Sequence, residues 1–131
     1  MENCIFCKII NNELPSKKIY EDETTLVFLN INPSTNGHLL VIPKKHQVNI
    51  LDIDDEFILH AHQLIKNILY PKLKEKLNCK GLTIAYNNEL GQEIPHFHIH
   101  LTPRYEDDYE NHTFNKEILK DLEIIYNDLS S

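Results

Sequence analysis

In the middle of the chain apolar side chains recur at positions 57, 58, 61, 64, 65, 68 and 69, the three-and-four spacing that lines one face of an α-helix. Asp54 and Asp55 suit the positive end of its first turn, so the pattern predicts a helix over Asp52–Leu77. Pro71 lacks the N–H that a helix interior needs and should kink or interrupt it. The same period appears at both ends. Ile5, Phe6, Ile9 and Ile10 predict a short helix over Cys4–Asn11, stopped by Asn11, Asn12 and Pro15. Apolar residues at 118, 119, 122, 125, 126 and 129 predict a closing helix from about Asn115 to Leu129. Between these lie β-branched and aromatic runs. Lys18–Glu21 and Thr24–Asn30 read as a hairpin around an acidic turn, His38–Ile42 as a strand ended by Pro43, and Gly81–Asn87 and Pro95–Tyr105 as two more strands. The stretch from Asn32 to Gly37 is dense in turn residues. Strands separated from a few helices predict an α+β protein with an antiparallel sheet of about five strands.

Length and charge narrow this picture. The chain has 131 residues, 41% of them apolar and 25% charged, which suits one domain spanning 1–131. A chain of this size buries roughly two-thirds of the surface it exposes when unfolded, so it needs neither a disulfide nor a metal merely to fold. Thirteen basic against 20 acidic residues leave a formal charge of −7. That argues against a nucleic acid polymer as partner, because such binders cluster Lys and Arg to displace counterions. A small phosphorylated ligand in a local pocket stays open. The longest apolar runs, such as Leu39–Ile42, fall far short of the roughly 20 residues that span a bilayer. Met1 is followed at once by Glu2, Asn3 and Cys4 rather than by a basic and apolar leader. No membrane partner and a cytoplasmic location are expected.

Candidate chemistry enters with eight histidines and three cysteines. Cys4 and Cys7 form a C-x-x-C pair, which in a reducing compartment means a metal site, redox chemistry or neither. The redox option needs a strand-helix-strand context that this N-terminus lacks. With a distant pair of histidines the two thiolates would close a tetrahedral zinc site, though spacing does not say which histidines. Cys79, in a loop, has no visible partner. His96, Phe97, His98, Ile99 and His100 alternate without a break. In a strand the three imidazoles then share one face at ~6.8 Å intervals while Phe97 and Ile99 point to the other. Packing gives no reason to choose imidazole three times, and three charged rings would repel. Two chemistries suit the cluster: a metal site, or phosphoryl or nucleotidyl transfer in which one imidazole is the nucleophile and its neighbours move protons. His60, His62 and His112 stand alone and read as structural.

The run from Gly91 through Gln92, His96, His98 and His100 to Arg104 resembles the signature of the histidine triad (HIT) superfamily, in which three histidines alternate with apolar residues; Thr102 stands in the final apolar place. Cys4–Ile10, Phe28–Pro33 and Gly37–His46 resemble the family's other blocks, in the family's order, so the likeness covers about residues 3–105. It implies a HIT-like fold with a long central helix, a short N-terminal helix and a C-terminal helix. It also implies that His98 attacks the α-phosphate of a nucleotide to form a covalent nucleotidyl-histidine, which water or another acceptor resolves. His100 would hydrogen-bond the phosphate or help the leaving group, and His38 would adjoin the triad and relay a proton. Gln92 is implied to donate its amide to phosphate, and Glu93 to offer its backbone N–H, since its carboxylate would be repelled. The loop between Asn87 and Gly91 is shorter than in many relatives, leaving Asn87 or Asn88 to reach the phosphate. Phe6, Ile9 and Leu14 are implied along the base, and Asn30 with Ile31 at the ribose, where relatives often carry Asp.

A zinc-containing subset of the family, and the related galactose-1-phosphate uridylyltransferases, imply Cys4, Cys7, His46 and His96 as zinc ligands. Four protein ligands leave no open position, so such a zinc is structural. The implied substrate is a purine nucleotide conjugate: a dinucleoside polyphosphate, a nucleoside phosphoramidate or an acyl adenylate. Pro103-Arg104 resembles the dinucleoside polyphosphate hydrolases, and the family implies a homodimer. Two rival classes remain, a non-catalytic nucleotide-binding or protein-interaction module on the same fold, and a zinc-dependent hydrolase with an open coordination position.

Overall fold

Two short runs, Thr25–Leu29 and Leu39–Pro43, have every residue buried, because each is covered on both faces of a sheet. The computed structural model describes residues 3–110 and 113–131, with His112 outside that range. In chain order the elements are α1 (Ile5–Ile10), β1 (Lys18–Glu21), β2 (Thr25–Leu29), β3 (Leu39–Pro43), α2 (Asp55–Leu64), a π-helical turn (Ile65–Leu69), α3 (Tyr70–Leu77), β4 (Gly81–Ala85), β5 (Ile99–Arg104), the short strands β6 (Tyr109–Glu110) and β7 (Thr113–Phe114), a 3₁₀ turn (Lys116–Ile118) and α4 (Leu122–Ser130). The main sheet has the order β1-β2-β3-β5-β4 and is antiparallel throughout. No helix among the described residues is long and apolar enough to cross a membrane.

Period-two alternation sorts the central strands onto two cores. Leu26, Phe28, Leu40 and Ile42 face α1 and pack on Phe6 and Ile9. Val27, Leu29, Leu39, Val41, Ile99 and Leu101 face the other way, onto Phe57, Ala61, Leu69 and Leu73 of the long helical segment and Ile125 and Leu129 of α4. Each fully buried Leu or Ile contributes roughly 1.5–3 kcal/mol, so the helical side carries most of the stability and the α1 side is thin. A thin cover leaves room for a site. His100 lies opposite Leu40 on β3 and Ala85 on β4, and so belongs to the α1 side. Gly37 turns the chain into β3 at φ +87°, a conformation that disfavours other residues, and a side chain there would strike Leu77.

Two expectations are corrected and a third is made specific. The central helix is interrupted just ahead of Pro71, by widening: the Tyr70 N–H donates to Ile65 O, one residue further back than in an α-helix. The π-helical turn accommodates a residue with no N–H, and α3 restarts with Pro71 in its first turn. The strand expected over Pro95–Tyr105 pairs only over Ile99–Arg104. His96, Phe97 and His98 precede it, and the Phe97 N–H donates to Gln47 O, beyond the end of β3. The closing helix is broken into the 3₁₀ turn and α4. Asn36 forces the break from across the molecule: its Nδ2 donates to Ile118 O at 3.1 Å and its Oδ1 accepts from the Lys120 N–H at 2.8 Å. Asp121 then caps α4 by accepting from the Glu123 N–H.

Candidate active site and metal centre

The first turn of α1 is capped by a thiol, Cys4 Sγ accepting from the Cys7 N–H at 3.3 Å, and this places both sulfurs beside the segment that leaves β3. His46 comes from that segment, and His96 from the approach to β5. Cys4 Sγ lies 3.3 Å and Cys7 Sγ 3.6 Å from His96 Nδ1, Cys7 Sγ 3.3 Å from His46 Nδ1, and the two Nδ1 atoms are 3.2 Å apart. All four candidate ligand atoms fall within 4.8 Å of one another, close enough to hold a metal. Donors bound at about 2.0–2.3 Å around a tetrahedral ion stand roughly 3.3–3.8 Å apart, close to the four separations of 3.2 to 3.6 Å above. The electrostatics fit the same conclusion. Burial, with Cys4 alongside, pushes the Cys7 thiol up to about 11, so a divalent cation is what would make Cys7 a thiolate. All three cysteines are free thiols.

His96 is fully buried, and its Nε2–H donates to Pro43 O at 2.9 Å. A carbonyl can only accept, so the lone pair is on Nδ1, facing the sulfurs. Burial lowers its pKa to about 4, with His46 and His98 adding to the effect and the Pro43 bond opposing it. His98 has the opposite tautomer. Its Nδ1–H donates to His96 O at 2.7 Å, which leaves the lone pair on Nε2. Burial lowers its pKa, opposed by the bond to His96 O and the nearby Glu93 carboxylate. A neutral imidazole whose free nitrogen carries a lone pair is a competent nucleophile.

His38 and His100 form a linked pair beside it. The Ser34 N–H donates to His38 Nδ1 at 3.0 Å, so the proton of neutral His38 is on Nε2. That atom lies 3.0 Å from His100 Nδ1, which therefore accepts and leaves His100 with its own proton on Nε2. Burial, repulsion from His100 and the Lys116 charge lower His38 to about 4, keeping its ring neutral near pH 7. The His98 and His100 ring centroids are 5.0 Å apart, closer than the ~6.8 Å backbone repeat of a strand. The Phe6 edge packs against the His96 and His98 rings at 5.7 and 5.1 Å, separating the metal side from the open side.

The open side is a pocket of about 800 Å³ that brings together His38, His98, His100, Phe6, Ile9, Leu14, Asn30, Ile31, Asn87 and Glu93. Gln92 is not among its lining residues. Its Nε2 donates to Val48 O at 2.5 Å and its Oε1 accepts from the Glu89 N–H, so it holds the loop rather than facing the pocket. Asn30 Oδ1 already accepts from the Asn32 N–H at 2.9 Å, leaving one lone pair for a ligand. Arg104 is committed elsewhere: Nε and Nη2 donate to the Asp108 carboxylate at 2.7 and 3.2 Å, and its guanidinium stands 5.1 Å from the Phe114 ring. Ser34 and Lys116 are missed by sequence reasoning. Lys116 Nζ donates to Pro33 O at 3.1 Å, reaching across 83 residues to the turn that orients His38. An isolated exposed lysine carries no signal of that.

The profile of the family described as HIT domain matches residues 11–107. An uncharacterized HIT-like protein of Methanocaldococcus jannaschii is 41% identical over 128 residues, 91% of this chain and 98% of its own. The adenosine 5′-monophosphoramidase of Saccharomyces cerevisiae is 39% identical over 103 residues, 77% of this chain and 62% of its own. The crystal structure of a zinc-bound histidine triad family protein from Mycobacterium smegmatis matches with a TM-score of 0.85 at 32% identity, covering 98% of this chain and 91% of that one.

Proposed function

This chain belongs to the HIT family, and we propose that it is a nucleotide hydrolase or transferase that cleaves purine nucleotide conjugates at the α-phosphate through a nucleotidyl-His98 intermediate. The observation that carries this is the bond from His98 Nδ1–H to His96 O, which leaves His98 Nε2 as the nucleophilic atom of a ring lining the pocket. Nε2 forms a bond to phosphorus as the bond to the leaving group breaks with its electron pair. His100, with its proton on Nε2, hydrogen-bonds a phosphoryl oxygen and offsets the charge developing there. His38 keeps His100 in that tautomer. Water then displaces His98, so across both steps phosphorus gains a hydroxyl and the leaving group a proton. A second acceptor in place of water makes the reaction a transfer. The similarity to an adenosine 5′-monophosphoramidase supports phosphoramidates and related adenylates as first substrates.

Cys4, Cys7, His46 and His96 would hold zinc, whose contribution is to tie α1 to the triad segment. With four protein donors the site has no position for water activation, which favours the covalent route over a zinc hydrolase. The proposal includes one domain over 1–131, a cytoplasmic location, and a homodimer joined along β4, the sheet edge on which Ile84 is 53% exposed. Rapid quenching with adenosine 5′-phosphoramidate followed by peptide mass analysis should find the nucleotidyl adduct on His98. Absence of both adduct and turnover across phosphoramidate, acyl-adenylate and dinucleoside polyphosphate substrates would overturn the proposal in favour of a binding module.

A further inference from the structure

Folding buries polar side-chain atoms with partners, because an unpaired buried hydroxyl loses its hydration for nothing. Among the described residues one buried side-chain oxygen or nitrogen has no hydrogen-bond partner, and it is Ser16 Oγ. Ser16 lines the same pocket as the histidines. Its place there follows from the sheet. Lys18 lies opposite Phe28, and the pairing runs on past the end of β1, the Leu29 N–H donating to Lys17 O at 3.1 Å. That register sets Ser16 across from Asn30. Asn30 has a carbonyl oxygen half used by the Asn32 N–H. Asn30 and Ser16 are therefore cross-strand neighbours that line the same pocket, one with a spare lone pair and one with its hydrogen-bonding capacity unspent.

A ribose presents two neighbouring hydroxyls on one edge, each needing an acceptor when taken out of water. Asn30 offers one acceptor position and cannot serve both well. Resting on the nucleotide reading above, we propose that Ser16 is a specificity-determining residue that accepts a hydrogen bond from one ribose hydroxyl while Asn30 takes the other, so that the pocket selects ribonucleotides over deoxyribonucleotides. Without a nucleotide, Ser16 Oγ is a local fault in the packing. With one bound, it is satisfied.

The test is calorimetric binding of AMP, 2′-deoxy-AMP and 3′-deoxy-AMP to the wild-type protein and to Ser16→Ala. Wild type should bind AMP more tightly than at least one deoxy analogue. Ser16→Ala should weaken AMP binding about 5- to 30-fold, the range expected for one hydrogen bond to a buried partner. It should leave unchanged the binding of the analogue that lacks the hydroxyl Ser16 serves. Its melting temperature should equal or exceed the wild-type value, since an unsatisfied hydroxyl has been removed. Equal loss on all three ligands, no loss on AMP, or no AMP binding by the wild type would each overturn the inference. Binding does not require turnover: a wild type that binds AMP with this selectivity yet forms no adduct upholds the role of Ser16 and removes the catalytic proposal alone.

Discussion

His96 and His98 are two residues apart, both buried, both neutral, both with one ring N–H on a backbone carbonyl, and they present opposite ring nitrogens to their surroundings. His96 donates from Nε2 to Pro43 O and turns Nδ1 to two sulfurs and His46. His98 donates from Nδ1 to His96 O and keeps Nε2 for the pocket. Residue type, burial and charge state do not separate the two. The carbonyl does, because an imidazole tied at one nitrogen can only use the other. The comparison teaches how, under the proposed function, a ligand and a nucleophile could stand side by side in one motif without exchanging roles, since neither ring can turn over without breaking its bond to a carbonyl.

The largest expected effect tests the His98 half of this contrast. His98→Ala should cut turnover by at least about a thousandfold, the scale on which losing a nucleophile acts. AMP affinity should stay within a few-fold and melting close to wild type, as read by calorimetry. Wild-type turnover in that variant would erase the distinction. Next, His96→Ala or chelation should abolish stoichiometric zinc in elemental analysis and lower the melting temperature by on the order of 10 °C, the shift that a few kcal/mol produces in a domain of this size. Protein still folded at lower temperature should keep forming the adduct. Loss of chemistry before any loss of stability would mean that the metal side and the nucleophile side are not separable.

The smallest effect comes from an ion pair outside both sites, His60 with Asp22, which serves as the control. His60 Nε2 lies 2.6 Å from the Asp22 carboxylate, joining α2 to the β1–β2 turn. Burial pushes Asp22 up, but bonds from His60, the Thr24 N–H and Tyr20 outweigh it and hold the carboxyl at about 2. A carboxyl below its ordinary value of about 3.9 stabilises the fold above that pH and loses the benefit as pH falls towards 2. Asp22→Asn should therefore cost on the order of 1 kcal/mol at neutral pH, allowing for partial solvent exposure, and flatten the acid limb of stability between about pH 4 and 2. Thermal melts against pH read this, and turnover at pH 7 should not change. A change in turnover would show that the sheet transmits strain from this turn to the pocket.

What is legible in the sequence is what neighbours along the chain decide. Alternation of Leu26, Val27, Phe28 and Leu29 puts successive side chains on opposite faces whatever surrounds them, so the strands and the common face of His98 and His100 can be read directly, whereas which face α1 covers cannot. The C-x-x-C pair is likewise local, because one turn of α1 carries both sulfurs to the same end. The closing helix is legible as a period but not as a break, since Asn36 interrupts it from a distant turn. Gln92 has the amide a phosphate site needs, yet Val48 O claims it first.

Through-space partners also decide the tautomers of the histidines. The sequence dictates that three imidazoles come together, and an imidazole has two nitrogens that no local pattern distinguishes. Pro43 O meets His96 only when the end of β3 packs against the triad segment, and Ser34 meets His38 only when the Asn32–Gly37 turn folds back. Ser16 gains its meaning from the pairing that brings it to Asn30. Face and period are covalent properties of the chain, whereas tautomer, accessibility and an unspent hydroxyl depend on which acceptor lies within about 3 Å, and that distance exists only in the folded protein.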